Sequence, residues 1–577
     1  MPENAVLHRN AEGMPRSMKR SFHRLDDHAA TPRPGASGNL AIGTVSRPVP
    51  ARWAAACGLI VAAVFFAYAG AFDYPFLFDG LPLAEHLRTL RLFAPTDWLL
   101  PRPRTFGYFT FEVQNSLHGM WLPGYHIVNV AIHTAAACLL GAIVHGTLGR
   151  CAPDFPPWQR DAAAFFAALL FGLHPLATHA VTYLYQRFES LMGLLFFGAI
   201  WSLLRSTEPG ARTGRWLAAS YACFVLGMAT KEVAVMAPLV LLLFDRSFLA
   251  GSWSEIIERR KVYYTALFGT IVAGLVYVLA NWSHYAAGGL LVAHRVSVWQ
   301  YLRTQPEIVG HYLRQAIWPD HLSIDPAWPV QDDLRRLAVS WLLVAAAAAG
   351  TAWLWRADKR LAFLPLAFAL PLAPTSTIAP VIDLAFEHRV YLSLAPLAVA
   401  VTLAASMLAR QSVKMLGSHD SAAKWLTGAL LLAITSTLGA TTFSRNRVHA
   451  SPVALWADTV LKSPHNTRAW ANLGTALEES GDPRALKCYE EIVSLYRGAA
   501  GRKPHPLADV ARRTPRTIEY VWYGFARLAT LTADDGDFAT ARRLFEELER
   551  LPCLPQGGLD RVEIKSLRNR LAARKAG

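Results

Sequence analysis

The sequence has few charged residues for its length. Of 577 residues, 17% are Asp, Glu, Lys or Arg and 53% are hydrophobic, whereas soluble globular proteins usually carry about 25% charged residues. The deficit is uneven, because residues 1–50 and 442–577 have an ordinary polar composition and the interior is a series of apolar runs. This composition argues against a soluble enzyme and indicates a protein whose central part lies in a lipid bilayer.

Cysteine is also scarce, and the charge is not placed for binding a polyanion. The six cysteines show no paired metal-ligand spacing, so no zinc site is predicted. Much of the net charge of +15 lies in short loops beside apolar segments, where basic residues set membrane orientation. No nucleic-acid partner is therefore expected.

Eleven apolar segments are predicted to be helices that cross the bilayer, since about 20 apolar residues span the hydrocarbon. Residues 1–50 are predicted to be a disordered cytoplasmic tail, 51–441 the membrane domain and 442–577 a separate soluble domain. Alternate loops that would face the cytoplasm are short and basic, in accord with the positive-inside rule. The segments lie near 53–72, 123–147, 161–178, 189–205, 215–230, 233–249, 262–282, 336–355, 361–378, 389–409 and 425–441.

Ionisable and polar residues gather in the other set of loops, which includes the two long outer loops 73–122 and 283–335. Within a membrane such groups are costly unless they are paired or face a wet cavity. Two interpretations stay open for each residue, a shared cavity or a simple interfacial anchor. The set comprises Asp79, Arg102, Arg104, His126, His174, His179, Gln186, Arg187, Glu189, Lys231, Glu232, Arg303, Asp325, Asp383, Glu387, His388 and Arg389.

The C-terminal sequence has the spacing of tetratricopeptide repeats, in which small residues let two antiparallel helices pack closely. With eleven spans this short α-solenoid would lie on the same side as the polar loops and would bind partners without chemistry of its own. The residues that carry the pattern are Trp470, Leu473, Gly474, Tyr489, Gly536, Ala541 and Phe545.

Several motifs together resemble a known family. The run from Phe171 to Leu191 (FGLHPLATHAVTYLYQRFESL) resembles the hallmark of bacterial multispanning tetratricopeptide-repeat proteins, which are related to the eukaryotic transmembrane and tetratricopeptide-repeat-containing O-mannosyltransferases. Further matches, in order, are Phe78-Asp79, Arg102-Pro103, GYHIVN at 124–129, ATKE at 229–232, YLRTQP at 301–306 and DLAFEHRVY at 383–391.

The resemblance implies a glycosyltransferase of the GT-C class with an all-α membrane bundle, working on the periplasmic face of a bacterial inner membrane. Such enzymes take a sugar from a polyprenyl-phosphate donor, and an acid in the first outer loop accepts the proton of the acceptor hydroxyl. Asp79 matches that acid and Glu387 is a second candidate catalytic acid. The implied donor-phosphate or acceptor-binding residues are Arg102, His174, Gln186, Arg187, Lys231, Arg303, His388 and Arg389.

The resemblance has one departure and fixes no cofactor. Related sequences commonly carry two adjacent acids where this chain has Asp79-Gly80, which puts the full mechanism in question. A divalent metal is left open. The expected partners are the lipid-linked sugar, the bilayer, and a protein or glycan acceptor that the repeats would bind.

Three site residues also have structural interpretations. Asp79 before Gly80 is a favoured turn pair, His174 before Pro175 would cap and end the third span, and Lys231 with Glu232 would form a self-neutralising pair. At the level of the whole protein, two other functions compete with the transferase: a non-enzymatic membrane-anchored repeat scaffold and a transporter of a lipid-linked sugar.

Overall fold

The described part of the chain is helical throughout. A computed structural model provides the description for residues 51–89, 104–152, 155, 157–281, 296–376, 383–415, 420–498, 517–551 and 561–573, and contains no strand there. The predicted tail, 1–50, and Arg102 lie outside these residues. The all-α fold predicted from the sequence is confirmed.

The helices of the apolar part follow the predicted segments closely. Each of the eleven segments coincides with helical structure. The helices are α1 Ala51–Tyr68, α2 Gly80–Thr89, α3 Thr105–His118, α4 Leu122–Cys151, α5 Pro157–Gly172, α6 Thr178–Val181, α7 Arg187–Ser206, α8 Thr213–Met228, α9 Ala237–Phe244, α10 Trp253–Ala280, α11 Val298–Ile317, α12 Leu334–Ala357, α13 Lys359–Leu372, α14 Leu394–Met415 and α15 Asp420–Asn446.

Fewer of these helices are long enough to span a membrane than the eleven predicted. Within the described ranges, seven helices pass by length and composition, and eight pass if the bent pair α5–α6 counts as one span. The remaining segments are shorter: α8 has 16 residues, α9 has 8 and α13 has 14. Interruptions such as the 3-10 turn Glu232–Met236 shorten these helices. The chain is a multi-pass membrane protein with several short helices among the long ones.

Small side chains bring the central helices together. Ala163, Ala164, Ala167 and Ala168 of α5 are fully or almost fully buried, and α5 packs against α1, α4, α14 and α15. By contrast, α12 has no buried residue among those described, and large apolar side chains such as Leu342 and Trp353 are exposed on it. Such a surface is the one expected against lipid.

The break after α5 is set by its sequence. Pro175 has no backbone N–H and cannot continue a helix, and the imidazole of His174 accepts a hydrogen bond from Leu176 N at 3.2 Å. α5 and the following 175–181 segment meet at 48°. This bend brings the next residues, 182–187, across one end of the bundle.

The C-terminal helices pack as antiparallel pairs on that same end of the bundle, which we call the repeat end. Gly474 of α17 lies against Tyr489 of α18, and a Cβ added at Gly474 would be 2.7 Å from the ring. Their hydrophobic core includes Leu77 and Tyr183 from the membrane part, so the core of the repeats extends into that part. The helices are α16 Pro452–Lys462, α17 Thr467–Glu479, α18 Arg484–Arg497, α19 Thr517–Asp534, α20 Phe538–Glu549 and α21 Arg561–Ala573.

Candidate active site at the repeat end

Asp79 lies in a tight turn at the start of α2 with its side chain exposed. Gly80 N donates to Leu77 O at 2.8 Å, so the turn anticipated from Asp79-Gly80 is present. Asp79 N donates to the Tyr183 hydroxyl at 2.9 Å. Burial and the nearby Asp79 carboxylate raise the pKa of Tyr183 well above its ordinary value. The turn presents the acid at the surface beside a neutral phenol.

Phe78 holds this turn from the repeat side. Its φ of +47° is unusual for a bulky residue and costs free energy unless the surroundings impose it. The ring packs edge-on against Trp456 at 5.2 Å between centroids, and the Arg468 guanidinium lies 5.7 Å from its centroid. Residues of the C-terminal helices therefore fix the backbone next to Asp79.

Lys231 is a buried cation close to this turn. Its Nζ donates to Gln186 Oε1 at 3.2 Å and forms an ion pair with Glu189. Burial lowers the pKa of Lys231 below its usual range, and the Glu189 carboxylate opposes that effect. Gln186 and Glu189 lie on the 182–187 crossing and the first turn of α7, so the bend after α5 assembles this group.

Arg104 supplies a second cation through a bidentate pair with Glu232. Arg104 Nε and Nη2 donate to the two Glu232 carboxylate oxygens at 3.0 and 3.2 Å. Although burial alone would raise it, Arg104 holds the pKa of Glu232 below its usual range. Because Lys231 pairs with Glu189 and Glu232 with Arg104, the self-neutralising Lys231–Glu232 pair considered from the sequence does not form.

Tyr185 connects the acid to these cations. Its hydroxyl lies 3.5 Å from that of Tyr108, and it is within electrostatic reach of both Arg104 and Asp79. Arg104 has a left-handed φ of +64°, and Phe106 N donates to Ala229 O at 2.9 Å, which ties α3 to the segment that carries Lys231. We call Asp79, Arg104, Tyr183, Tyr185 and Lys231 the acid–cation group.

Two buried histidines lie under the acid–cation group. The rings of His179 and His388 meet edge-on at 4.9 Å, and Phe386 stacks on His388 at 5.3 Å. Burial, with the nearby charge of Lys231, lowers the pKa of His388 well below its ordinary value, so this ring is neutral at physiological pH. Neither His179 Nδ1 nor His388 Nδ1 has a hydrogen-bond partner.

Two further predicted residues are held inside the bundle. The Arg187 guanidinium is fully buried, donates to Asn129 Oδ1 at 2.5 Å and Tyr125 O at 3.1 Å, and lies 3.9 Å from the Phe111 ring centroid. His174 bonds Ala316 O at 3.0 Å besides its capping contact. The capping role anticipated for His174 is thus present in the fold.

The other predicted residues are engaged by protein groups near the acid–cation group. Glu387 accepts from Ser323 N at 2.5 Å and pairs with Arg445 at 2.9 Å, and burial raises its pKa. Arg389 donates to the carbonyls of Asp383 and Leu384 at 2.7 and 2.9 Å. Arg303 pairs with Asp332. These contacts shape the loops, whereas Lys231 contacts Gln186 and lies within electrostatic reach of His388.

The repeat residues predicted from the sequence are mainly framework residues. Leu473, Tyr489, Ala541 and Phe545 are buried in the repeat core, and Gly536 occupies a turn with φ +91°. Trp470 donates from its indole nitrogen to Pro464 O at 2.8 Å. A partner would therefore contact other side chains of these helices.

Sequence reasoning did not select several residues that the fold brings to the site. Arg104 and Glu189 are predicted only as polar loop residues, and Tyr183 and Tyr185 have no predicted role beyond their place in the Phe171–Leu191 motif. The tyrosines at alternate positions beside Gln186 were the available signal. In the part of the chain that the structure describes, no group of three or more His, Cys, Asp or Glu side chains is placed to hold a metal ion.

Comparison with known proteins gives a partial match. No protein-family model matches the chain, and no solved structure matches it. It is 28% identical over 182 residues to the Drosophila melanogaster "Protein O-mannosyl-transferase Tmtc3", covering 27% of this chain and 19% of the relative. It is 30% identical over 144 residues to the human "Protein O-mannosyl-transferase TMTC1", covering 24% of this chain and 15% of the relative.

These matches span less than a fifth of each of these two relatives. They agree with the resemblance drawn from the motifs. Over the matched residues, the chain is related to the transmembrane O-mannosyl-transferases.

Proposed function

We propose that this protein is a membrane glycosyltransferase that moves a sugar from a polyprenyl-phosphate donor to a hydroxyl of a protein or glycan. The reaction would take place at the repeat end, which in a bacterial inner membrane would be the periplasmic face. The observation that carries the proposal is the acid–cation group: an exposed carboxylate next to two held cations. The names of the related proteins support transfer to oxygen, with mannose as the first sugar to test.

The chemistry needs one base and a site for the leaving phosphate. The acceptor hydroxyl attacks the anomeric carbon, its proton passes to Asp79, and the bond between that carbon and the phosphate oxygen breaks. The products are the glycosylated acceptor and the polyprenyl phosphate. Lys231 and Arg104 would stabilise the phosphate as its charge grows, because fixed cations in a water-poor site stabilise such charge strongly. Neutral His388 adds no competing charge.

The carboxylates paired with Lys231 and Arg104 do not prevent these two cations from binding the donor phosphate. Glu189 and Glu232 hold Lys231 and Arg104 in place while the donor is absent. Arg104 keeps a side-chain exposure of 30%, so it can reach a phosphate without leaving the surface. A single exposed base next to such cations satisfies the minimal inverting mechanism, and this supports activity despite Gly80.

The lipid chain of the donor also finds suitable surroundings. A cavity of about 330 Å³ lies between α4, α7, α9, α13 and α14, and its lining is almost entirely apolar. Its walls include Phe196, Phe244, Phe363 and Leu392. Apolar lining of this kind suits an isoprenoid segment, because burial of apolar surface is the main driving force for holding it.

The test is transfer of labelled sugar from native polyprenyl-phosphate donors in membranes that carry wild type or Asp79→Asn at equal protein levels. We expect the variant to lose transfer by about 10²-fold or more, since a general base contributes about 10²–10⁴-fold. Asp73→Asn is the matched control, because Asp73 is an exposed acid six residues upstream and outside the acid–cation group. Transfer by Asp79→Asn equal to that of wild type, or no transfer by wild type with any donor, would favour the scaffold or transporter function.

A further inference from the structure

A second cavity, of about 220 Å³ and with a larger polar share in its lining than the first, lies between the membrane part and the repeats. It is bounded by the end of α11 with the following segment 321–328, by Phe386 and Glu387, and by Lys462 and Ser463 at the end of α16. Pockets for drug-sized ligands measure about 300–1,000 Å³, so this one suits a smaller molecule.

One wall of the cavity is aromatic. The His311 and Trp328 rings lie 4.6 Å apart between centroids, and Phe386 faces the same space. Burial lowers the pKa of His311 to about 4, with Arg314 adding to the effect, so the imidazole is neutral at pH 7. The wall therefore offers flat, uncharged surface.

The lining of the cavity also carries polar atoms without protein partners. Gln315 is 2% exposed and Ser323 is 4% exposed, and neither Gln315 Oε1 nor Ser323 Oγ has a hydrogen-bond partner. Buried polar atoms are nearly always satisfied in folded proteins. Two such atoms lining one cavity indicate that a bound molecule or water completes them.

The charges that line the cavity cancel. Lys462 Nζ donates to Leu322 O at 2.7 Å and to Asp458, which leaves one of its three donors for a ligand. Glu387 is already bonded to Ser323 N and Arg445. The lining thus holds one cation, one anion and two imidazoles, those of His311 and His321, and we expect it to favour an uncharged ligand over a phosphate.

The loop that forms the floor is held in an unusual shape. His321 and Ala327 both have left-handed φ values, +47° and +45°, conformations that are unfavourable for residues other than glycine and cluster at binding sites. Asp325, between them, is bonded to Asn466 at 2.9 Å and to Arg468 at 2.6 Å. The repeats therefore maintain the loop that presents Ser323.

We infer that this cavity binds a single neutral sugar ring. A sugar ring has hydroxyls that donate to Gln315 and Ser323 and accept from Lys462, and C–H faces that pack on Trp328. The segment 386–388 separates this cavity from the acid–cation group: Phe386 and Glu387 line the cavity and His388 lies against His179 on the other side. The ring would belong either to a glycan acceptor or to the donor.

The test is titration of the full-length protein in lipid nanodiscs with methyl mannoside and methyl glucoside, followed by saturation-transfer NMR. We expect at least one hexoside to bind wild type, and Gln315→Leu and Trp328→Ala each to weaken binding about tenfold or more. Trp353→Ala is the control, because Trp353 is 67% exposed on α12 and lines neither cavity. If Trp328→Ala fails to fold, Ser323→Ala with its smaller change replaces it.

Two results would overturn the inference: no hexoside binding to wild type up to tens of millimolar, or binding that Gln315→Leu leaves unchanged. Binding of inorganic phosphate or of a serine-containing peptide in place of the hexosides would also overturn it. None of these measurements requires transfer, so they can succeed even if the proposed function fails.

Kinetics of transfer distinguish whether the bound sugar ring belongs to the acceptor or to the donor, and this step rests on the proposed function. With the Gln315→Leu variant, a rise in KM for a glycan acceptor alone would place the acceptor's sugar in the cavity. A rise in KM for the lipid-linked donor alone would place the donor's sugar there. An unchanged KM for both would overturn a role in transfer while leaving the binding result intact.

Discussion

Two buried ion pairs lie at opposite ends of the segment that contains α9. They differ in how many of the polar atoms in and around the pair have hydrogen-bond partners. At the end away from the repeats, Asp245 Oδ1 accepts from Arg260 Nη2 at 2.7 Å and Oδ2 accepts from the Tyr264 hydroxyl at 2.8 Å. Both carboxylate oxygens are engaged. Arg260 Nε makes no hydrogen bond, but it lies 2.7 Å from Asp245 Oδ2, so both charges are used within the pair, which we call the closed pair.

At the repeat end, Lys231 and Glu189 form the other pair, and several groups around it are unused. Glu189 Oε1, Arg187 Nη1, His179 Nδ1 and His388 Nδ1 are buried without hydrogen-bond partners. A buried polar group without a hydrogen-bond partner costs about 1–3 kcal/mol of stability. The unsatisfied groups around Lys231 and Glu189 indicate a place where a substrate would complete the hydrogen bonds. The closed pair of Asp245 and Arg260 indicates a purely structural role.

The largest expected effect is on the closed pair. Arg260→Met leaves the Asp245 carboxylate buried without its cation, which should lower the free energy of unfolding by about 3–5 kcal/mol. Denaturant unfolding of the purified protein in detergent measures this change. Transfer per folded molecule should stay at the wild-type value.

Removing both charges sharpens that result. Arg260→Met with Asp245→Asn should recover most of the stability, because replacing a whole buried pair is often close to neutral. A loss of transfer per folded molecule in either variant would mean that the closed pair takes part in function, and the contrast between the two ends would be wrong.

The next effect is on the open pair. Lys231→Met with Glu189→Gln removes both charges at the repeat end, so folding should be retained while transfer falls about 10²–10³-fold through loss of a cation at the leaving phosphate. The Arg260→Met, Asp245→Asn double variant is the matched control. Near wild-type transfer in the Lys231→Met, Glu189→Gln variant would remove Lys231 from the proposed mechanism.

Sequence alone predicted the helices well, since long apolar runs define them directly. Every predicted segment overlaps helical structure within the described residues, but the predicted segments 233–249 and 361–378 are longer than α9 and α13. Apolar composition continues across Pro238 and the 3-10 turn before it, and these interrupt the helix without changing hydropathy. The position of the break at Pro175 was anticipated because proline acts locally.

The candidate site was harder to predict, because its residues come together only through tertiary packing. Asp79, Lys231 and His388 were selected from motifs, but no local pattern pairs Lys231 with Glu189 rather than with its neighbour Glu232. Arg445 and Arg468, which engage Glu387 and Asp325, lie beyond the motifs altogether. Arg445 lies at the end of α15 and Arg468 on α17, so their roles depend on how these two helices pack on the loops.

The pair that joins the repeats to the outer loop should show a defined pH dependence. Arg468 and Asn466 hold the pKa of Asp325 below its usual range despite burial, which alone would raise it. A lowered carboxyl pKa contributes stability above its unfolded value of about 3.9 and loses it as the pH falls through the folded value. Asp325→Asn should therefore lower the free energy of unfolding by about 1.5–3 kcal/mol at neutral pH.

Unfolding of wild type and Asp325→Asn at a series of pH values measures this difference. It should stay constant above about pH 5 and shrink below about pH 3.9. Arg497→Met, which breaks an exposed pair with Glu547 inside the repeats, is the control and should change stability by about 0–1 kcal/mol. A difference between wild type and Asp325→Asn that is the same at every pH would show that Asp325 acts by packing and not by charge.

The smallest expected effect compares one tyrosine from each end. Tyr183→Phe removes the hydroxyl that accepts from Asp79 N, and Tyr264→Phe removes the hydroxyl that donates to Asp245. The first should cost about 0.5–1.5 kcal/mol of stability, and the second about 1.5–3 kcal/mol, because its partner is a carboxylate.

Unfolding and transfer measured on the same preparations distinguish an effect on stability from an effect on transfer. The variant with the smaller stability loss, Tyr183→Phe, should lower transfer several-fold by releasing the turn that carries Asp79, whereas Tyr264→Phe should leave transfer per folded molecule unchanged. If the loss of transfer instead paralleled the loss of stability in both variants, the two ends would differ only in the stability of their hydrogen bonds. The unsatisfied groups around Lys231 would then not be explained by a substrate.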